Sequence, residues 1–147
     1  MNQTTTRSQA RRLGGRAAIM FLGLALLASS IYVKHHAFLW QKLSWIYGAA
    51  LLGLIGLIYI LGRQVGVRIL VEEEKPLMMG TGLAFCVLTT YSAVDTLFLM
   101  SGFPMDQTAF LNLFAQTFLT GSLPFAAMGL VLGMHLQLIR PQYAGSW

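Results

Sequence analysis

One carboxylate stands where carboxylates are expensive. Asp95 lies inside a long apolar stretch, six residues before Ser101, which is about 9 Å from the end of that stretch if it is helical. A charged Asp at the centre of a membrane helix costs about 2.5–3.5 kcal/mol on insertion scales, and less off-centre. That cost is met when the side chain faces a polar partner or water, or carries its proton. Two chemistries follow. One is polar glue between helices, worth about 0.6 kcal/mol per pair; the other is a proton or ion path.

The spacing around Asp95 supplies partners. Tyr91 and Ser92 precede it by four and three residues, the separation that shares a helix face. Asn112, Gln116 and Thr120 recur every fourth residue further along. In a helix starting near Thr108, Gln116 lies about 12 Å deep, close to the depth of Asp95. The short connection between these stretches makes them antiparallel neighbours. The sequence therefore predicts a buried cluster of Asp95, Tyr91, Ser92, Asn112 and Gln116. The apolar stretches hold no second acid and no Lys or Arg, so a relay needs water or another chain.

Other reactive side chains are scattered. His35 and His36 are adjacent, and on a helix adjacent residues project apart. His135 has no histidine at matching depth with which to hold a haem. Met78, Met79, Met100 and Met105 are of the type that binds copper, but read better as adaptable apolar filler. Cys86 is the single cysteine, which excludes an internal disulfide, a CxxC metal or redox site, and the cysteine pairs of small disulfide-forming membrane proteins. Small multidrug exporters place their acid in the first helix, whereas this one is in the third. No metalloprotease, nucleophile-elbow or phosphate-loop motif occurs. The expectation is a protein that is not an enzyme, with no cofactor and no metal.

The elements that position these residues follow from composition. Hydrophobic types make up 56% of the 147 residues and charged types 10%, against roughly half and a quarter in soluble domains. The mean hydropathy is +0.64. This excludes a disordered chain, a charged soluble surface and a nucleic-acid-binding arm; no nucleic-acid partner is expected. Four apolar runs approach or exceed the length of about 18 residues that crosses a membrane. They are too long and continuous for spanning strands, and a helix pairs its own backbone groups. The expected fold is an all-α integral membrane protein, a four-transmembrane-helix bundle with helices over about 17–33, 43–61, 76–101 and 108–138. It comprises a basic arm over 1–16, a membrane domain over 17–141 and a short tail over 142–147. The first run also has the basic start and small residues of a secretory signal, but continues apolar through Ile31, Tyr32 and Val33, which favours an uncleaved helix.

Charge sets the orientation. Arg7, Arg11, Arg12, Arg16, Arg63, Arg68, Lys75 and Arg140 fall on one side, and Lys34 and Lys42 on the other. Basic loops stay in the cytoplasm, so both termini are expected there. Trp40, Trp45, Tyr47 and Tyr32 suit an interfacial belt at the far side, with Tyr143 and Trp147 anchoring the tail. Glu72, Glu73 and Glu74 precede Lys75–Pro76, an arrangement suited to a helix start. Together with the four N-terminal arginines they also form a candidate contact for a cytoplasmic partner or for lipid headgroups. The N-terminal arm itself is expected to be disordered in isolation.

Small residues mark packing faces: Ala49, Gly53 and Gly56 in the second helix, Gly129 and Gly133 in the fourth. Pro124 is expected to bend or break the fourth helix. The expected function is a non-catalytic small subunit or assembly factor of a bacterial inner-membrane complex, of secretion, conjugation, envelope-export or respiratory type. Its partners are membrane lipids and other membrane-protein subunits or copies of itself. The alternative is a homo-oligomeric channel or proton-coupled transporter using Asp95.

Overall fold

In the computed structural model the backbone is described over residues 3–32, 44–100 and 106–144, and side chains over 6–30, 45–100 and 106–140. His35, His36, Lys34, Lys42, Trp40 and Met105, and the side chains of Tyr32, Tyr143 and Trp147, lie outside those residues. Among the described residues all regular structure is helical: α1 Gln3–Tyr32, α2 Ser44–Leu70, α3 Pro76–Met100 and α4 Gln107–Ala144. Each contains a stretch long and apolar enough to cross a membrane.

Two helices run well beyond their apolar cores, and α4 continues six residues past its expected end at 138, to Ala144. Helix α1 continues back through the basic arm to Gln3, where disorder was expected. Helix α2 continues nine residues past Leu61 to Leu70, through a segment read as a loop. Each extension supports the other. Ala10, Gly14 and Ala18, spaced by four, meet Gly62 and Gly66 with the same spacing. A Cβ on Gly14 would lie 2.5 Å from Gly66 Cα, and one on Gly66 would lie 2.5 Å from the Ala10 carbonyl oxygen. Backbone contact this close needs small residues on both sides. Val65, Ile69 and Leu70 are buried beside the crossing, while Arg63, Gln64 and Arg68 remain exposed.

A second crossing joins α3 to α4. Gly80 and Ala84 face Gly129 and Gly133; a Cβ on Gly129 would lie 2.8 Å from the Gly80 carbonyl oxygen, and one on Gly133 would lie 2.5 Å from that of Pro76. The molecule is thus two antiparallel hairpins, α1–α2 and α3–α4, each seamed by small residues. Helix α1 packs on α4, where the Phe21 and His135 rings meet edge to face at 5.4 Å. Helix α2 leans on α3 more loosely. The core residues include Leu22, Leu26, Ile58, Leu88, Phe125 and Leu132, all at or near 0% exposure. Helix α4 runs unbroken through Pro124.

The connection between the hairpins differs from a helix start. Glu73 adopts the left-handed conformation at φ 57°, the usual last step of a helix. The Glu72 N–H donates to the Val67 carbonyl at 3.1 Å and the Glu74 N–H to that of Arg68 at 3.0 Å. The three glutamates therefore close α2 and do not occupy the first turn of α3, which begins at Pro76 after Lys75.

Candidate functional site

Asp95 is fully buried on the inner face of α3, five residues from the end of that helix at Met100. Its partner comes from α2. The Tyr47 hydroxyl donates to Asp95 Oδ1 at 2.9 Å. The helices are antiparallel, so the start of α2 and the end of α3 share one end of the bundle, and a phenol three residues into α2 reaches a carboxyl five residues from the end of α3. Tyr91, one turn before Asp95, is hydrogen-bonded to Tyr47 through the side chains. Tyr47 uses its only proton on Asp95, so its oxygen accepts from Tyr91. The result is a chain of donors from Tyr91 through Tyr47 to Asp95.

Aromatic rings seal this chain. Phe98 meets the Tyr47 ring edge-on, with centroids 5.8 Å apart at 83°. Phe125 of α4 stacks on Tyr91 at 6.1 Å. Tyr47, Tyr91, Ser92 and Asp95 are all between 0% and 1% exposed. Thr96 is buried as well and returns its hydroxyl to the Ser92 carbonyl at 2.7 Å, while Ser92 Oγ is buried without a hydrogen-bond partner among the described residues. Such an arrangement holds α2 to α3 by a hydrogen bond in an apolar setting, and keeps the carboxyl away from the surroundings.

The structure thus brings together three of the five residues expected at this cluster. Asn112 and Gln116 are exposed on the outer side of α4, as is Thr120, whose hydroxyl bonds its own helix at the Gln116 carbonyl. They lie on the other face of the helix: α4 turns Thr117, Gly121 and Phe125 inward instead. Tyr47, read as an interfacial belt residue, takes their place. Its signal in the sequence was depth, since it begins the helix that must lie beside the end of α3.

The small residues divide in the same way. Gly129 and Gly133 lie in the α3–α4 crossing. Ala49, Gly53 and Gly56 are exposed, and a Cβ on Gly53 or Gly56 would meet nothing within 4 Å. The face of α2 that packs inside the chain is Gly62 and Gly66, toward the other end.

That other end is basic. Arg7 reaches Glu72 at 4.0 Å across the α1–α2 hairpin, both side chains being about half exposed, which makes a weak ion pair. Arg63 lies 5.8 Å over the Tyr59 ring. Arg11, Arg12, Arg16, Glu72 and Glu73 are exposed, and Glu74 is partly so. Among the described residues no three His, Cys, Asp or Glu side chains gather closely enough to hold a metal ion. No protein-family model, no curated protein and no solved structure matches this chain.

Proposed function

We propose that this chain is a non-catalytic, multi-pass subunit or assembly factor of a bacterial inner-membrane complex, with both termini in the cytoplasm. The observation that carries the reading is the outward face of α2. Only 28% of its most apolar stretch is buried inside the chain, as for α4, against 56% for α1 and 50% for α3; what marks α2 is the small residues on that face. On that outward side Ala49 is exposed and a Cβ on Gly53 or Gly56 would meet nothing within 4 Å, the kind of surface that lets another helix approach closely in lipid. Leu52 and Ile60, at 69% and 58% exposure, supply apolar contact around it. A second transmembrane helix, from another subunit, is the occupant such a face suits.

The Asp95 group supports a structural role over a transport path. A path needs the carboxyl to meet water or ions, whereas Asp95 is fully buried and accepts from a tyrosine of the neighbouring helix. The eight basic side chains on the expected cytoplasmic side all fall in the half of the two hairpins where α1 and α3 begin and α2 and α4 finish. The basic-inside preference then puts that end in the cytoplasm.

Purification from native membranes in mild detergent, with mass spectrometry of what accompanies the chain, tests the reading. A stoichiometric membrane-protein partner, lost on Gly53→Leu with Gly56→Leu, is expected. A homo-oligomer that carries pH-dependent flux in liposomes overturns it in favour of the channel.

A further inference from the structure

Two cavities meet at the basic end. One, of about 490 Å³, is a groove along the α1–α2 hairpin lined by Arg7, Arg11, Arg63, Gln64, Arg68 and Glu72. Four guanidinium groups face one carboxylate there, a net charge of three. The other, of about 310 Å³, is a cleft between α2 and α3 whose walls include Leu61, Val65, Met78, Gly82, Leu83 and Cys86. Gln64 and Arg68 line both. From Arg68 to Leu61 the cleft descends seven residues of α2, about 10 Å toward the middle of the bundle.

This pairing has the dimensions and polarity of one kind of ligand. An arginine cluster recognises phosphate oxygens through bidentate, charge-assisted hydrogen bonds. A headgroup-sized anion is satisfied by the groove alone and has no use for an adjoining apolar cleft. A phospholipid uses both, because its phosphate and its acyl chain are joined. We propose that the chain binds one anionic phospholipid, with the phosphate in the Arg7–Arg11–Arg63–Arg68 groove and an acyl chain in the α2–α3 cleft, Arg68 lying at the junction. This rests on the reading of the chain as membrane-inserted.

The geometry assigns further roles. Arg63 is held over Tyr59, which orders its guanidinium before the ligand arrives. Arg7 is partly engaged by Glu72, so the lipid phosphate competes with a weak carboxylate contact. Arg12 and Arg16 do not line the groove and serve as internal controls.

The test uses the full chain, purified in nonionic detergent, delipidated, and titrated with phosphatidylglycerol or phosphatidylcholine under native mass spectrometry. Phosphatidylglycerol is expected to bind in preference. Arg11→Gln and Arg68→Gln should each weaken it about fivefold, the worth of one basic residue at an anionic surface, and Arg12→Gln should leave it near the wild-type value. Gly82→Leu should also weaken it: a Cβ there meets nothing within 4 Å, so the larger side chain enters the cleft without straining the fold. Equal binding of phosphatidylcholine overturns the proposal. So does displacement of the lipid by inorganic phosphate with no effect of Gly82→Leu, which identifies a site for a free anion. Alkaline extraction of the membranes tests insertion separately: release of the chain overturns the membrane reading, whereas retention without lipid preference overturns only the lipid site.

Discussion

Asp95 and Tyr47 make a residue-scale device whose value depends on its surroundings. In lipid, hydrogen bonds between helices average about 0.6 kcal/mol, but a buried polar group left without a partner loses roughly 1–3 kcal/mol. Substitutions should therefore divide by whether they leave an orphan. Asp95→Asn keeps an oxygen at the position that accepts from Tyr47, so thermal unfolding in detergent should shift little. Asp95→Leu removes the acceptor of the Tyr47 hydroxyl, and Tyr47→Phe removes that donor from Asp95; each should cost about 1–3 kcal/mol. Equal unfolding temperatures for Asp95→Asn and Asp95→Leu would contradict the role of this bond. The burden of Asp95 could be read from the sequence, because an acid in an apolar run has to be accommodated. The donor could not be read from four-residue spacing alone. Spacing put Asn112 and Gln116 on one face of α4, but nothing in it says which face turns inward.

At the scale of the element, the hairpins are held by backbone contact, and the same small residues explain what the sequence shows and what it hides. Four helices are legible as four apolar runs. The ends of α1 and α2 are not, because Arg7 to Arg16 and Arg63 to Arg68 look like solvated loops until Ala10 and Gly14 are set against Gly62 and Gly66. The choice of face has the same cause. Gly53–Gly56 and Gly62–Gly66 are both small-residue pairs on one helix, and only the position of α1 separates the packed pair from the open one. The two should respond oppositely to a methyl group. Gly14→Ala or Gly66→Ala forces backbone apart and should destabilise the chain by about 1–3 kcal/mol. Gly53→Ala meets open space and should be neutral, or stabilising by about 0.5–1 kcal/mol from lower helix entropy cost. Chemical or thermal unfolding of the detergent-solubilised variants reads both, and a loss at Gly53→Ala equal to that at Gly14→Ala would remove the distinction between the two faces.

For the whole molecule, the arrangement of charge and length is consistent with one orientation. Helix α1 has 30 residues and α2 has 27, about 45 and 40 Å, while the hydrocarbon layer is about 30 Å thick. The excess is concentrated where the arginines are, so in the proposed membrane orientation the hairpin that carries them would project into the headgroup region and beyond. In that orientation exposed arginines are compatible with helices of this hydropathy, because a long basic side chain can carry its charge to the headgroup boundary. The far end holds the sealed Asp95 group and, beyond it, the exposed Asp106. Orientation can therefore be read with single thiols in a Cys86→Ser background, which removes the native exposed cysteine. Ser8 and Asp106 are both exposed and sit at opposite ends. In intact bacterial cells whose outer membrane has been made permeable, a membrane-impermeant maleimide should label Asp106→Cys. Ser8→Cys should react only after the inner membrane is opened. Labelling of Ser8→Cys from outside, with Asp106→Cys protected, would invert the bundle and place the arginine groove against the outer leaflet of that membrane.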